Sequence, residues 1–116
     1  MGQITRLAPG RRFCQVVIHG DTVYVAGQVA PRTVPSVKGQ TQQILKEIDK
    51  LLKSAGTNKS KLLMANVWLS DIRTFDEMNE AWDAWVPKDH MPARATVEAK
   101  LANPALKVEI MVQAAK

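Results

Sequence analysis

Met91-Pro92-Ala93-Arg94-Ala95-Thr96-Val97-Glu98-Ala99-Lys100-Leu101 carries a proline, then an arginine, then a two-faced run. From Ala93 to Leu101 its character alternates. Ala95, Val97, Ala99 and Leu101 point one way, and Arg94, Thr96, Glu98 and Lys100 the other. A period of two is the signature of a strand with two unlike faces. Downstream, Lys107 to Ala114 alternates as well, with Val108, Ile110 and Val112 on one face and Lys107, Glu109, Met111 and Gln113 opposite. Leu62 to Leu69 is nearly all apolar and is expected to be a central strand buried on both faces.

Upstream the period changes. Phe75, Met78, Trp82, Trp85 and Val86 form an apolar stripe at helical spacing, which predicts a helix over Thr74 to Val86. Thr74 and Glu77 have the capping-box spacing, and Pro87 ends the segment. A second helix is predicted over Val37 to Ala55, on Ile44, Leu45, Ile48, Leu51, Leu52 and Ala55, with Gly56 as its stop. Phe13 to Ala30 reads as a β-hairpin turning at His19-Gly20-Asp21. Gly27 interrupts its second strand, the mark of a bulge or of a close approach to the backbone. Pro31 to Ser36 is a loop.

The order is therefore hairpin, helix, strand, helix, strand, strand. Two helices and about five strands predict an α+β fold in one domain spanning residues 1–116, with both helices on one face of a mixed sheet. The opposite face is expected to carry Arg94, Thr96 and Glu109 and to associate with other copies.

Several chemistries are set aside by composition. The chain has 46% hydrophobic and 23% charged residues, which argues against disorder. No apolar run approaches the ~20 residues of a membrane span. Met1 to Arg12 carries Arg6, Arg11 and Arg12 without a following apolar segment, so no secretory signal is read. The single cysteine, Cys14, allows no internal disulfide and fits the cytoplasm. Cys14 reads as a small buried residue before a nucleophile. His19 and His90 lie far apart, and no metal-ligand spacing exists. Gly27 and Gly39 stand alone, so there is no phosphate loop. The net charge is +5, but Lys46, Lys50 and Lys53 interleave with Glu47 and Asp49, which favours a solvated helix face over a nucleic-acid surface.

Two residues stand out. Arg94 follows a proline at the mouth of its strand, and a guanidinium offers a fork of donors matched to a carboxylate. Glu109 lies between Val108 and Ile110, a setting expected to desolvate it partly and suit it to proton transfer. From pattern alone an ion pair between Arg94 and Glu109, or plain solvation, is the weightier reading. Asn79 sits on the border of the second helix's stripe, where a solvated or backbone-bonded role is usual. Trp68, Trp82 and Trp85 read as core before ligand cage.

The segment Pro92 to Glu98 followed by Val108-Glu109-Ile110 resembles the C-terminal signature of the YjgF/RidA family, spacing included. Tyr24-Val25-Ala26-Gly27-Gln28-Val29 resembles the family's strand ending in Ser-Gly-Gln, and Gln42 to Gly56 its first helix. Leu69-Ser70-Asp71-Ile72 and Phe75-Asp76-Glu77-Met78-Asn79 resemble its strand, aspartate and helix-with-Asn segment. The resemblance covers essentially the whole chain. It implies a chorismate-mutase-like fold, a homotrimer with three clefts between subunits, and cofactor-free hydrolysis of 2-imino acids or enamines to 2-keto acids and ammonia. In that scheme Arg94 holds the ligand carboxylate and Glu109 handles the water. Gly27 lets the ligand approach the backbone, while Phe13, Ala26, Thr96 and Asn79 line the site. Three of these depart from well-studied members: Phe13 stands for a tyrosine, Ala26 for a serine and Thr96 for a cysteine. A more apolar pocket follows, in which larger or more hydrophobic imino acids are expected to be handled at least as well as 2-aminoacrylate.

Overall fold

The computed structural model describes residues 3–116, so the first two residues of the arginine-bearing N-terminal segment lie outside it. Six strands form one sheet. They are β1 (Ile4–Pro9), β2 (Cys14–His19), β3 (Thr22–Val29), β4 (Leu62–Leu69), β5 (Ala93–Glu98) and β6 (Val108–Ala115). Two helices, α1 (Val37–Ser54) and α2 (Phe75–Trp85), pack together and cover one face. The sheet order is β1-β2-β3-β6-β4-β5. The last strand therefore lies in the middle, antiparallel to both β3 and β4, and β5 closes the far edge parallel to β4.

The expected hairpin forms, with His19 opposite Thr22 and Gly20 at φ +60° in the turn between them. Only glycine adopts that angle without strain. The sixth strand, β1, was not expected. All but one of its residues are exposed, so no buried face imposes an alternation on its sequence.

Helix α1 starts where the Ser36 side chain accepts a bond from the Gly39 amide at 2.8 Å. It stops at Gly56, whose φ is +79°. The capping box expected for α2 is not made. The Thr74 hydroxyl donates instead to the Asp71 carbonyl at 2.7 Å, and Glu77 accepts from the Lys38 amide at 3.1 Å, joining the two helices. The accepting carbonyl belongs to Asp71, which caps the 3-10 turn Ile72–Thr74 that leads into α2.

The core lies between the sheet and the helices. Val16, Val23, Val25, Val67, Leu69, Val108 and Ile110 meet Ile44, Ile48, Leu52, Met78 and Trp82 there. Each such apolar side chain contributes about 1.5–3 kcal/mol on burial. Strand β4 is buried on this face alone; the expectation of burial on both faces is not met, since Met64 is exposed and Asn66 and Trp68 are half-buried. Gln40 sits fully buried on α1 and is completely satisfied. Its amide donates to the Val34 and Ala105 carbonyls, and its oxygen accepts from the Lys107 amide, fixing the loops before α1 and before β6. Among the described residues no helix is long and apolar enough to cross a membrane.

Candidate functional site

Register determines where each candidate side chain points. On β5, Arg94 pairs with Ala65, Thr96 with Val67 and Glu98 with Leu69. Ala65, Val67 and Leu69 all belong to the buried face. Arg94 and Thr96 therefore lie on the helix-covered side. On β6, Glu109 pairs with Trp68, and both lie on the open side. The expectation that Arg94, Thr96 and Glu109 share the open face is thus corrected. Alternation shows which residues share a face, but not which face the helices cover.

This arrangement excludes an ion pair between Arg94 and Glu109 within one chain. Glu109 stands level with Val97 through Trp68, three residues from Arg94 and two strands away. Strand geometry puts the two Cα atoms about 14 Å apart, with side chains on opposite faces. None of the ion pairs among the described residues includes either one.

Arg94 rests on an aromatic shelf built by α2. Its guanidinium carbon lies 5.0 Å from the Trp82 ring centre and 5.8 Å from that of Phe75, and Nη1 is 4.0 Å from Met78 Sδ. Stacking on ring faces occupies the plane of the guanidinium and leaves its donor edge free. Burial holds Arg94 below its ordinary pKa, an effect partly offset by Asp83; a guanidinium still stays charged in any physiological setting. The shelf is held in place from β5 itself. Glu98 accepts the Ile72 amide at 3.0 Å just ahead of α2, and the Ala99 amide donates to the Leu69 carbonyl. In the sequence Phe75, Met78 and Trp82 belong to the apolar stripe of the second helix, with Trp82 reading as core before ligand cage. Their spacing gave the stripe, but not the cation that sits across its edge.

Thr96 lies two residues beyond Arg94 on the same face. Its hydroxyl is buried and has no hydrogen-bond partner in the chain. Asn79 is half-buried one turn after Phe75, beside the shelf.

Glu109 lies on the open face in a cavity of about 250 Å³ with Trp68 and the segment Ala99 to Ala102. Strand β5 ends at Glu98, not at Leu101 as expected, so Leu101 lines this cavity instead of extending the ladder. Val108 and Ile110 point to the core and do not surround the carboxylate, contrary to the reading from sequence neighbours. Its close neighbour is Gly27, at the bulge in β3 between Val25 and Gln28. A Cβ on Gly27 would overlap Glu109 Oε2. Ala26 lies at the same bulge, half-buried, and Phe13 is exposed just before β2.

Among the described residues these two charged groups thus lack an ion-pair partner, a guanidinium on one face and a carboxylate on the other. Among the described residues no three His, Cys, Asp or Glu side chains cluster as metal ligands would.

Comparison with known proteins places this architecture. The family model described as Endoribonuclease L-PSP matches residues 3–116. A RutC family protein of Haemophilus ducreyi is 47% identical over 112 residues, 97% of this chain and 96% of the relative. The RutC family protein YoaB of Escherichia coli is 44% identical, covering 97% of each chain. A crystal structure of a YjgF family member from Neisseria meningitidis superposes with a TM-score of 0.96 at 35% identity, over 98% of this chain and 95% of that one. With a whole-chain match to the family model and relatives at this level of identity, the chain belongs to the YjgF/RidA family.

Proposed function

We propose that the protein hydrolyses 2-imino acids and their enamine tautomers to 2-keto acids and ammonia, in clefts between the subunits of a homotrimer. The observation that carries this reading is the placement of Arg94 and Glu109 on opposite faces, neither in an ion pair among the described residues. A small ligand cannot bridge them within one chain. A second copy that lays its open face near the β5–α2 edge brings the carboxylate of one chain to the guanidinium of another. The open face supports such association: Tyr24 and Val97 are 42% and 50% exposed there, beside half-buried Val17, Trp68 and Met111. Cyclic symmetry closes such a contact.

In this cleft the Arg94 fork takes the ligand carboxylate through two charge-assisted bonds. Glu109 accepts a proton from water as the oxygen attacks the iminium carbon, forming a carbinolamine. The nitrogen then takes that proton back from Glu109, the C–N bond breaks to release ammonia, and the hydroxyl gives its own proton to the carboxylate as it becomes the keto oxygen. Holding water and iminium together supplies the effective molarity. Ala26, Phe13 and the methyl of Thr96 give the pocket an apolar lining, so larger imino acids are turned over at least as fast as 2-aminoacrylate. The single cysteine suits a reducing cytoplasm.

A second reading, a carboxylate-binding module without turnover, is favoured by the completeness of the Arg94 shelf, which needs nothing from Glu109. RNA cleavage, named in the family model's description, is not favoured: Lys50 is paired with Glu47 at 3.5 Å on a mixed-charge helix.

A panel of 2-imino acids formed in situ by an amino-acid oxidase tests the proposal. Wild type should speed keto-acid formation, most for leucine- or phenylalanine-derived imines, and Arg94→Ala should lose at least ~100-fold in kcat/KM. Binding of a 2-keto acid without any turnover would leave only the second reading. Fastest turnover of the smallest imine would remove the claim on pocket size.

A further inference from the structure

Gly27 has an ordinary backbone conformation, since Gly20 and Gly56 are the glycines with positive φ among the described residues. Backbone geometry therefore does not require glycine at this position. What a side chain would meet there is the Glu109 carboxylate: Oε2 overlaps the Cβ position, with the carboxyl carbon at 3.1 Å and Cγ at 3.4 Å. No other atom of the protein stands among these nearest neighbours. The space left by the missing side chain is taken first by the Glu109 carboxylate, whose atoms are the three nearest to the Cβ position.

The notch is held rigid. Two residues of β3, Ala26 and Gly27, stand opposite one of β6 between the Val25–Val112 and Gln28–Ile110 pairs. The buried Gln28 side chain donates to the Ala26 carbonyl at 3.0 Å and to Gln15 Oε1 at 2.6 Å. The bulge thus keeps its shape through a side chain from the strand itself, tied across to the neighbouring strand. No internal hydrogen bond or ion pair involves the Glu109 carboxylate among the described residues, so its position is set by packing, and the notch is its tightest contact on the β3 side.

We infer that Gly27 is a positioning residue for Glu109: its missing side chain is the seat that aims the carboxylate into the cleft. This rests on the reading of Glu109 as the group that handles water. It differs from a glycine that merely admits the ligand, because its effect must pass through Glu109.

The test is a double-mutant cycle with a structural arm. Gly27→Ala should fold normally, since the atom it displaces ends a flexible side chain. Its crystal structure should show the Glu109 carboxylate moved by about 1 Å or more with β3 unmoved. Its kcat on a leucine-derived 2-imino acid should fall at least ~10-fold, with KM within about twofold of wild type. In a Glu109→Ala background the same substitution should have no further effect on kcat. An equal loss in both backgrounds overturns the assignment, because Gly27 would then act on the ligand directly. An unmoved carboxylate, or a displaced one with unchanged kcat, overturns it too. If wild type turns over no 2-imino acid, the proposed function fails, while the crystal structure still decides whether Gly27 seats Glu109.

Discussion

At the β5–α2 edge a cation is held by what touches it; at the β3–β6 bulge a carboxylate is held by what is missing beside it. Arg94 lies across two rings and a thioether, all carried on a single helix whose start is tied back to β5 through Glu98. Glu109 has a glycine on one side and an open cavity on the other. Contact fixes orientation strongly, and a guanidinium stacked by its face presents a fixed fork. Clearance fixes only a limit, leaving the carboxylate room to move as water comes and goes. Under the proposed function, a group that binds should be rigid, whereas one that passes protons needs an oxygen lone pair free. The two regions differ as those two tasks differ.

The largest expected effect sharpens the rigid half. Arg94→Lys keeps the charge but replaces the planar fork by a point charge on a flexible stem. It should lose about 100-fold in kcat/KM, close to the loss for alanine, because the second of two charge-assisted bonds and the stacked orientation both go. Steady-state kinetics on one 2-imino acid measures this. A lysine variant within about threefold of wild type would break the contrast, since charge alone would then suffice.

A smaller effect separates shelf from core. Phe75 is 38% exposed, whereas Trp82 is 6% exposed. Phe75→Leu removes one stacking face and little packing. KM should rise about 3–5-fold through the lost cation–π attraction, with thermal stability nearly unchanged. Trp82→Leu should show the same rise in KM and also a clear drop in Tm, because the ring fills the core. Equal Tm losses in the two variants would mean that Phe75 is structural.

Much of the fold is legible in the sequence, for reasons that are local. The alternation in β5 and β6, the helical stripe of α2 and the stop at Gly56 are all settled by neighbours within a few residues. What was not legible is long-range. Nothing near β6 says that it inserts between β3 and β4, and nothing near Arg94 says that α2 lies over its face. The capping-box spacing of Thr74 and Glu77 was real, yet Asp71 and Lys38 were better partners. Strand β1, exposed along nearly its whole length, carries no pattern to read. For the candidate site, Arg94, Glu109 and Gly27 were all visible as residues. That Gly27 packs against Glu109 came only from the contact in three dimensions, and that Arg94 and Glu109 face apart came only from strand register.

The smallest expected effect concerns Thr96, which lies beside Arg94 but shares the carboxylate's lack of partners. Its hydroxyl is buried with no hydrogen bond in the chain. A buried polar group in that state costs the free protein its desolvation without return. Thr96→Val keeps the shape and removes the cost, so the protein should gain about 1 kcal/mol of stability, read as a higher Tm. If the hydroxyl is kept for the ligand, the same variant should bind a 2-keto acid about twofold more weakly by calorimetry. The two readouts have opposite signs, which no general packing defect produces. A Tm that falls would instead place a partner for this hydroxyl in a neighbouring subunit, and the rigid edge would then extend past Arg94 into the subunit contact.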